Sequence, residues 1–109
     1  MARNVKPELL VELDLNSPTF QSTWNNLELI EQEKAIATFE KITQLTWDQV
    51  YRDNGLKWEK IHSIQAPQGI QVLYSFRVSK SIRGIGFRED HFLRVLLIEP
   101  DHDAAYGKK

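Results

Sequence analysis

Three strand-like segments in the last third of the chain, joined by two short turns, constrain the fold more than any other feature. In Ile70–Ser79, apolar side chains alternate with polar ones, which is typical of a strand with one buried face. A tight turn at Lys80-Ser81 leads into Ile82–Arg88, and a second short turn leads into the apolar segment Phe92–Glu99. Because turns this short join neighbouring antiparallel strands, the sequence predicts a three-stranded antiparallel meander.

The first half of the chain predicts one strand followed by a helical hairpin. Apolar and acidic residues alternate within Leu9–Leu15, and Asn16-Ser17-Pro18 provides a helix cap with proline at the first helical position. A second helix is predicted over roughly Glu28–Gln44, with Ile30 among the residues expected on its buried side. A capping-box pattern at Thr46–Gln49 adds a further short helical turn.

These elements follow the order β-α-α-(short α)-β-β-β and predict an α+β fold, with helices on one face of a small, mainly antiparallel sheet. The 109 residues, 1–109, suffice for a single domain with one modest core. The absence of cysteine excludes disulfides, thiolate catalysis and cysteine-ligated zinc. No apolar run approaches the roughly 18 residues that span a bilayer, and no secretory signal pattern is present. We therefore expect a cytoplasmic protein with no membrane partner.

Charge is distributed unevenly along the chain, although the formal net charge is only −1. Residues 1–50 carry four basic and eight acidic side chains, whereas residues 51–109 carry ten basic and seven acidic ones. Between Lys57 and Arg83 there are five basic residues and a single acidic residue, Glu59. A basic patch of this kind can bind a polyanion or an acidic partner. It is equally typical of a strand face that is simply exposed to solvent.

Two glycines, Gly84 and Gly86, interrupt the middle segment of the predicted meander. Glycine inside a strand marks a bulge or the close approach of another backbone or a ligand. The alternative is that both glycines simply let the helices lie close to the sheet. The sequence leaves these explanations open.

A run of proton-handling side chains follows the last predicted strand: Asp101, His102, Asp103 and Tyr106. A loop at the end of a strand is a common place for a rigid scaffold to display catalytic groups. The same run also fits a plain polar turn capped by Asp101. Adjacent residues of an extended chain point to opposite sides, so the spacing is poor for metal ligation. No metal or other cofactor is predicted.

Three blocks of sequence occur in a recognisable order: Gly55–Ile61, then Tyr74–Val78 with Arg83 shortly after, then Asp101–Tyr106. Together they resemble the RelE/ParE superfamily of bacterial toxins, and most closely its cytotoxic translational repressor branch in type II toxin–antitoxin modules. The likeness extends over nearly the whole chain, although the helical hairpin matches only in pattern.

The resemblance implies a RelE-like β-α-α-β-β-β fold whose concave sheet face enters the ribosomal A site and cleaves mRNA there. It also implies a cognate antitoxin, a small and acidic protein that wraps and neutralises the toxin. The superfamily includes gyrase-directed ParE-type poisons, which share the fold without the nuclease chemistry. A poison of that type and an inactive interaction module are therefore the alternatives to a metal-independent mRNA endoribonuclease.

Cleavage of RNA by its own 2′-hydroxyl requires a base, a cation at the phosphate and an acid for the departing 5′-oxygen. Arg77 and Arg83 lie on adjacent predicted strands, so their guanidinium groups are expected to converge on one phosphate. In the resemblance, Arg83 corresponds to a family arginine and is the expected source of transition-state charge. The residue before it, Ile82, stands where relatives have an aromatic residue.

The remaining candidates come from the first and last blocks. His102 is the predicted proton carrier because imidazole titrates near neutral pH. Asp103 or Asp101 is expected to orient it or to act as the base, and Tyr106 to stack on a nucleobase or donate its hydroxyl. The first block supplies Lys57 and Lys60 for phosphate, Trp58 as a stacking surface or a core residue, and nearby His62 as a second acid–base candidate.

Overall fold

The structure is a computed structural model, and it describes residues 8–62 and 64–100. Its elements are β1 (Glu12–Asp14), α1 (Pro18–Asn25), α2 (Leu29–Ile42), α3 (Trp47–Arg52), β2 (Glu59–Ile61), β3 (Leu73–Arg77), β4 (Ile82–Glu89) and β5 (Phe92–Pro100). The described strands form one sheet in the order β1-β5-β4-β3-β2. β1 runs parallel to β5, and the other neighbouring pairs are antiparallel. The predicted α+β fold and the meander, here β3-β4-β5, are confirmed.

Side-chain caps begin two of the helices where the sequence predicts them. The Ser17 Oγ accepts a hydrogen bond from the Phe20 backbone N–H at 3.2 Å. The same hydroxyl donates to the Leu96 carbonyl of β5 at 3.0 Å, which attaches the start of α1 to the sheet. At α3, both halves of the capping box form between Thr46 and Gln49, at 3.3 and 2.9 Å. These caps satisfy amide groups that helix ends otherwise leave without partners.

The three helices pack their apolar sides against one face of the sheet, called the helix-covered face below. The Phe39 ring of α2 lies at the centre, 6.1 Å from the Phe20 ring and 6.5 Å from the Phe76 ring of β3. Burying a large apolar side chain is worth about 1.5–3 kcal/mol, so this layer stabilises the fold strongly. Its buried members on helices and sheet strands are Phe20, Ala35, Phe39, Ile42, Trp47, Val50, Phe76, Ile82, Leu93, Val95 and Ile98.

Ile30 departs from the pattern predicted for α2. The sequence predicts a buried position, whereas the side chain is 53% exposed. Ile30 precedes the fully buried Ala35 by five residues, which at 3.6 residues per turn rotates it about 140° around the helix. The prediction for Ile30 is therefore wrong. Its neighbour Glu31 contacts the sheet region instead, because its carboxylate accepts a hydrogen bond from the Ser79 hydroxyl at 3.0 Å.

The two glycines of β4 serve different purposes. A Cβ atom on Gly84 would overlap the Phe76 ring, so glycine here lets a core ring lie against the neighbouring strand. A Cβ atom on Gly86 would overlap the carbonyl oxygen of Arg94 on β5. The pairing of β4 with β5 shifts by one residue between Ile85 and Gly86. The extra residue is Leu96 of β5, so the bulge that the sequence allowed lies on the strand next to Gly86.

Candidate functional site

Three charged side chains form a row across β3, β4 and β5. Arg77 is the direct partner of Arg83, and Arg83 is the direct partner of Glu99. Directly opposed residues of antiparallel strands project from the same face of a sheet. The alternate residues Phe76 and Ile98 belong to the core on the helix-covered face. The three charged side chains, called the charged row below, therefore lie on the opposite face, with neighbours about 5 Å apart.

Arg83 and Glu99 form an ion pair within the charged row. The Arg83 Nε donates to the Glu99 Oε2 at 2.8 Å, and the Arg83 Nη2 lies 2.6 Å from the same oxygen. No residue within 8–62 or 64–100 donates a hydrogen bond to the other carboxylate oxygen, Oε1. The side chains of Arg83 and Glu99 are 21% and 25% exposed. The pair is thus half-buried but still accessible to a ligand.

Arg77 contributes a second guanidinium group to the charged row. Its Nε is buried and makes no hydrogen bond to the part of the chain that the structure describes. Its backbone N–H donates to the Leu56 carbonyl at 2.7 Å, which fixes this end of β3. A buried donor without an acceptor costs free energy, so Arg77 has hydrogen-bonding capacity that the described residues leave unused. The predicted adjacency of the two arginines is confirmed, while phosphate binding stays a prediction.

Within 8–62 and 64–100, no group of three or more His, Cys, Asp or Glu side chains could hold a metal ion. No helix in these ranges is both long enough and apolar enough to cross a membrane.

Comparison with solved structures identifies the fold. The chain is similar to a chain of the archaeal RelE-RelB complex from Pyrococcus horikoshii OT3, with a TM-score of 0.55 and 14% sequence identity. The alignment covers 94% of this chain and 100% of that chain. The fold is RelE-like. No family model and no curated protein matches the chain, and at 14% identity the structural likeness establishes the fold alone.

The first sequence block lies towards the β2 edge of the RelE-like fold. The Trp58 ring stacks on Tyr74 with centroids 4.8 Å apart and meets Trp47 edge-on at 5.1 Å. Lys60 is the direct partner of Tyr74. Trp58 and Lys60 therefore belong to the helix-covered face, and the structure does not bring them to the charged row. Lys57 precedes them in an exposed position with a backbone φ of 53°. Their contacts with RNA stay predictions.

The candidates for proton transfer in the last block lie outside the described residues: Asp101, His102, Asp103 and Tyr106. Their roles stay predictions. The described chain ends at Pro100, the direct partner of Ile82 and the residue after Glu99. The last block therefore begins at the same end of β5 as the charged row. His62, the second acid–base candidate, is exposed directly after β2.

Glu99 is the member of the charged row that sequence reasoning missed. A regular ladder counted from the β4-β5 turn would pair Arg83 with Ile98. The bulge between Ile85 and Gly86 moves the pairing by one residue, so that Arg83 lies opposite Glu99 instead. The only signal in the sequence was the glycine at 86, because glycine inside a strand marks possible bulges.

Arg94 forms a separate ionic cluster at the turn end of β5. Its Nη1 lies 2.5 Å from the Asp14 Oδ2, and its Nε lies 2.5 Å from the Glu89 Oε1. The pKa of Asp14 is lowered, first by a hydrogen bond from the Asn16 backbone N–H and then by Arg94. Hydrogen bonds to Glu89 and then Asp14 raise the pKa of Arg94. This cluster joins the parallel strand β1 to β5 and is structural in character.

Proposed function

We propose that this protein is the toxin of a type II toxin–antitoxin module and inhibits translation by cleaving mRNA in the ribosomal A site. One observation carries the proposal: Arg77 lies beside Arg83 on one sheet face, and its buried Nε has no partner among the described residues. Each guanidinium group can offer paired N–H donors to a phosphate. Two of them on adjacent strands suit one phosphodiester group.

The RelE-like fold supports the same proposal. Its solved neighbour is part of a complex of RelE with RelB, and the sequence blocks resemble toxins of that superfamily. We infer that this chain also binds a cognate antitoxin that is small and acidic. The excess of basic side chains between Lys57 and Arg83 suits such a partner electrostatically.

The proposed chemistry needs no metal, because cationic side chains supply the charge at the phosphate. Arg83 and Arg77 bind its non-bridging oxygens and stabilise the negative charge that grows in the transition state. His102 donates a proton to the departing 5′-oxygen, and Asp103 orients its ring. Outside this reacting group, Tyr106 stacks on the bound RNA and Lys57 contacts its phosphates, whereas Lys60 and Trp58 lie on the helix-covered face away from it.

A toxin-like binding protein without nuclease activity is the second candidate. Two observations favour it. Glu99 neutralises Arg83 within the charged row, and a formal net charge of −1 is low for a protein that approaches ribosomal RNA. A gyrase-directed poison or an inactive interaction module would need the RelE-like fold, but its function would not depend on the charged row.

Expression in bacteria followed by primer extension on abundant mRNAs tests the proposal. The wild-type protein should arrest growth and create new 5′ ends within coding sequences. Arg83→Ala should lower the yield of these ends by about 10²-fold or more, because one donor to the transition-state charge is lost. Arg52→Ala is the matched control, since Arg52 is an exposed arginine on α3 paired with Asp48, and it should keep full activity.

The same experiment separates the alternatives. Growth arrest with intact mRNA and an induced DNA-damage response would contradict the nuclease and support a gyrase-directed poison. Normal growth with intact mRNA, at a verified protein level, would support an inactive interaction module.

A further inference from the structure

Glu99 occupies the third position of the charged row and has no role in the chemistry described so far. We propose that its carboxylate is the general base that removes the proton from the attacking 2′-hydroxyl. The inference rests on the proposed endoribonuclease function and adds a catalytic residue to it. It also assigns this step to a residue in the sheet, where the sequence pointed to Asp101 or Asp103.

Position is the first argument. A phosphate bound by Arg77 and Arg83 lies over β3 and β4, and Glu99 lies directly opposite Arg83 on β5. Neighbouring strands are about 4.8 Å apart, and reacting atoms approach to about 3–3.5 Å before attack. A 2′-oxygen poised beside that phosphorus therefore falls within reach of a carboxylate one strand further along the row.

The orientation of the carboxylate is the second argument. Both contacts from Arg83 reach Oε2 of Glu99, at 2.8 and 2.6 Å. Among the described residues, no donor contacts Oε1, an oxygen that is able to accept a proton. Arg83 thus holds the carboxylate in one orientation while Oε1 accepts a proton.

The charged surroundings of Glu99 are the third argument. On its own face the nearest charged groups are Arg83 on β4 and Arg77 beyond it on β3. Helix α1 packs against the other side of β5, and its sequence PTFQSTWN has no charged residue. Glu59 also lies on the face of the charged row, since it is the direct partner of Ser75, but it belongs to the edge strand β2. Glu99 is thus the acidic residue that touches an arginine of the row.

The step balances without any co-reactant. The proton of the 2′-hydroxyl moves to Oε1 of Glu99 as the 2′-oxygen forms its bond to phosphorus. The bond from phosphorus to the 5′-oxygen breaks, and that oxygen takes a proton from the acid, which we assign to His102. The products are a 2′,3′-cyclic phosphate and a 5′-hydroxyl, and Glu99 returns its proton to water.

Single-turnover cleavage of a defined mRNA on programmed ribosomes tests the inference. Glu99→Gln preserves an oxygen that can accept from Arg83 but cannot take the proton. We expect a rate about 10²–10⁴-fold lower with unchanged mRNA binding, and partial recovery of the rate in Glu99→Asp, which keeps a carboxylate. Glu59→Gln is the matched variant and should retain the wild-type rate.

The outcomes separate the inference from the proposed function. If the wild type cleaves and Arg83→Ala does not, but Glu99→Gln matches the wild type, Glu99 is not the base. A slow Glu99→Gln enzyme whose rate is not partly recovered in Glu99→Asp would also overturn the inference, because Glu99 would then only position Arg83. A comparable loss of rate in Glu59→Gln would assign the base to Glu59. A wild type without activity on ribosomes would instead overturn the proposed function. Circular dichroism of each variant verifies folding, and Glu99→Asp provides a second carboxylate-bearing variant.

Discussion

Both ends of β5 carry arginines beside carboxylates, yet the balance of charge differs between them. At the turn end, Arg94 lies between Asp14 and Glu89, 2.5 Å from each. At the other end, Glu99 pairs with Arg83, and the buried Nε of the neighbouring Arg77 has no partner in the described chain. In the turn-end cluster, the guanidinium group of Arg94 has two carboxylate partners. The charged row keeps one excess positive charge, which teaches that an arginine points to an anion site only when its carboxylates are outnumbered.

The largest expected effect comes from replacing an arginine in each cluster. Arg77→Met should lower the rate of mRNA cleavage by about 10²–10³-fold, because it removes a cation from the bound phosphate. Arg94→Met should leave the rate unchanged. Single-turnover cleavage on programmed ribosomes measures both. Equal losses in the two variants would remove the distinction between the clusters.

The stability of the same two proteins provides an internal control. Arg77→Met should raise the free energy of unfolding by about 1 kcal/mol, since an unsatisfied buried donor is replaced by an apolar side chain. Arg94→Met should lower the melting temperature, because it leaves the Asp14 carboxylate without its guanidinium partner. Urea and thermal unfolding would reveal the opposite signs. A destabilised Arg77→Met protein would mean that Arg77 is part of the scaffold.

A smaller effect is expected at the bulge that separates the two ends of β5. Gly86→Ala should lower the free energy of unfolding by about 1–3 kcal/mol, since the added Cβ would overlap the Arg94 carbonyl. Gly55→Ala is the comparison, because its nearest new contact, at 3.1 Å, is a side-chain oxygen of Asp53 and not backbone. Urea unfolding of both variants measures the difference. Equal stability would indicate that β4 and β5 keep their pairing without glycine at 86.

The smallest effect is the pH dependence of the Arg94 cluster. The pKa of Asp14 lies below its ordinary value of 3.8, so the unfolded chain takes up this proton more readily than the folded one. The stabilisation is present above pH 3.8 and is lost as the pH falls through the folded pKa. Asp14→Asn should therefore cost under about 1 kcal/mol at pH 7 and progressively less below pH 3.8. A cost independent of pH would contradict this assignment.

Local signals in the sequence were sufficient for most of the fold. The Ser17-Pro18 start of α1, the capping box at Thr46 and the alternation along β3 each depend on neighbouring residues, and the structure confirms all three. The parallel pairing of β1 with β5 was not predicted, because it joins residues about eighty positions apart that no short pattern connects. The prediction for Ile30 failed because an apolar side chain does not by itself lie on the buried side of a helix.

The candidate site was predictable only in part, for a similar reason. Arg77 and Arg83 flank one tight turn, so their adjacency follows from the local pattern. Glu99 reaches Arg83 only because the bulge shifts the ladder by one residue. Where an extra residue enters a strand depends on how both strands pack, so a count along the sequence would have selected Ile98.

The position of β5 in the sheet determines when the sheet and the charged row can form during synthesis. β5 lies between β1 and β4, so an early strand and a late strand of a growing chain must meet before the sheet is continuous. Pairings between distant residues form late in folding. A chain still under synthesis has Arg77 and Arg83 but lacks Glu99, the third member of the row. The charged row is therefore completed only once β5 has been synthesised.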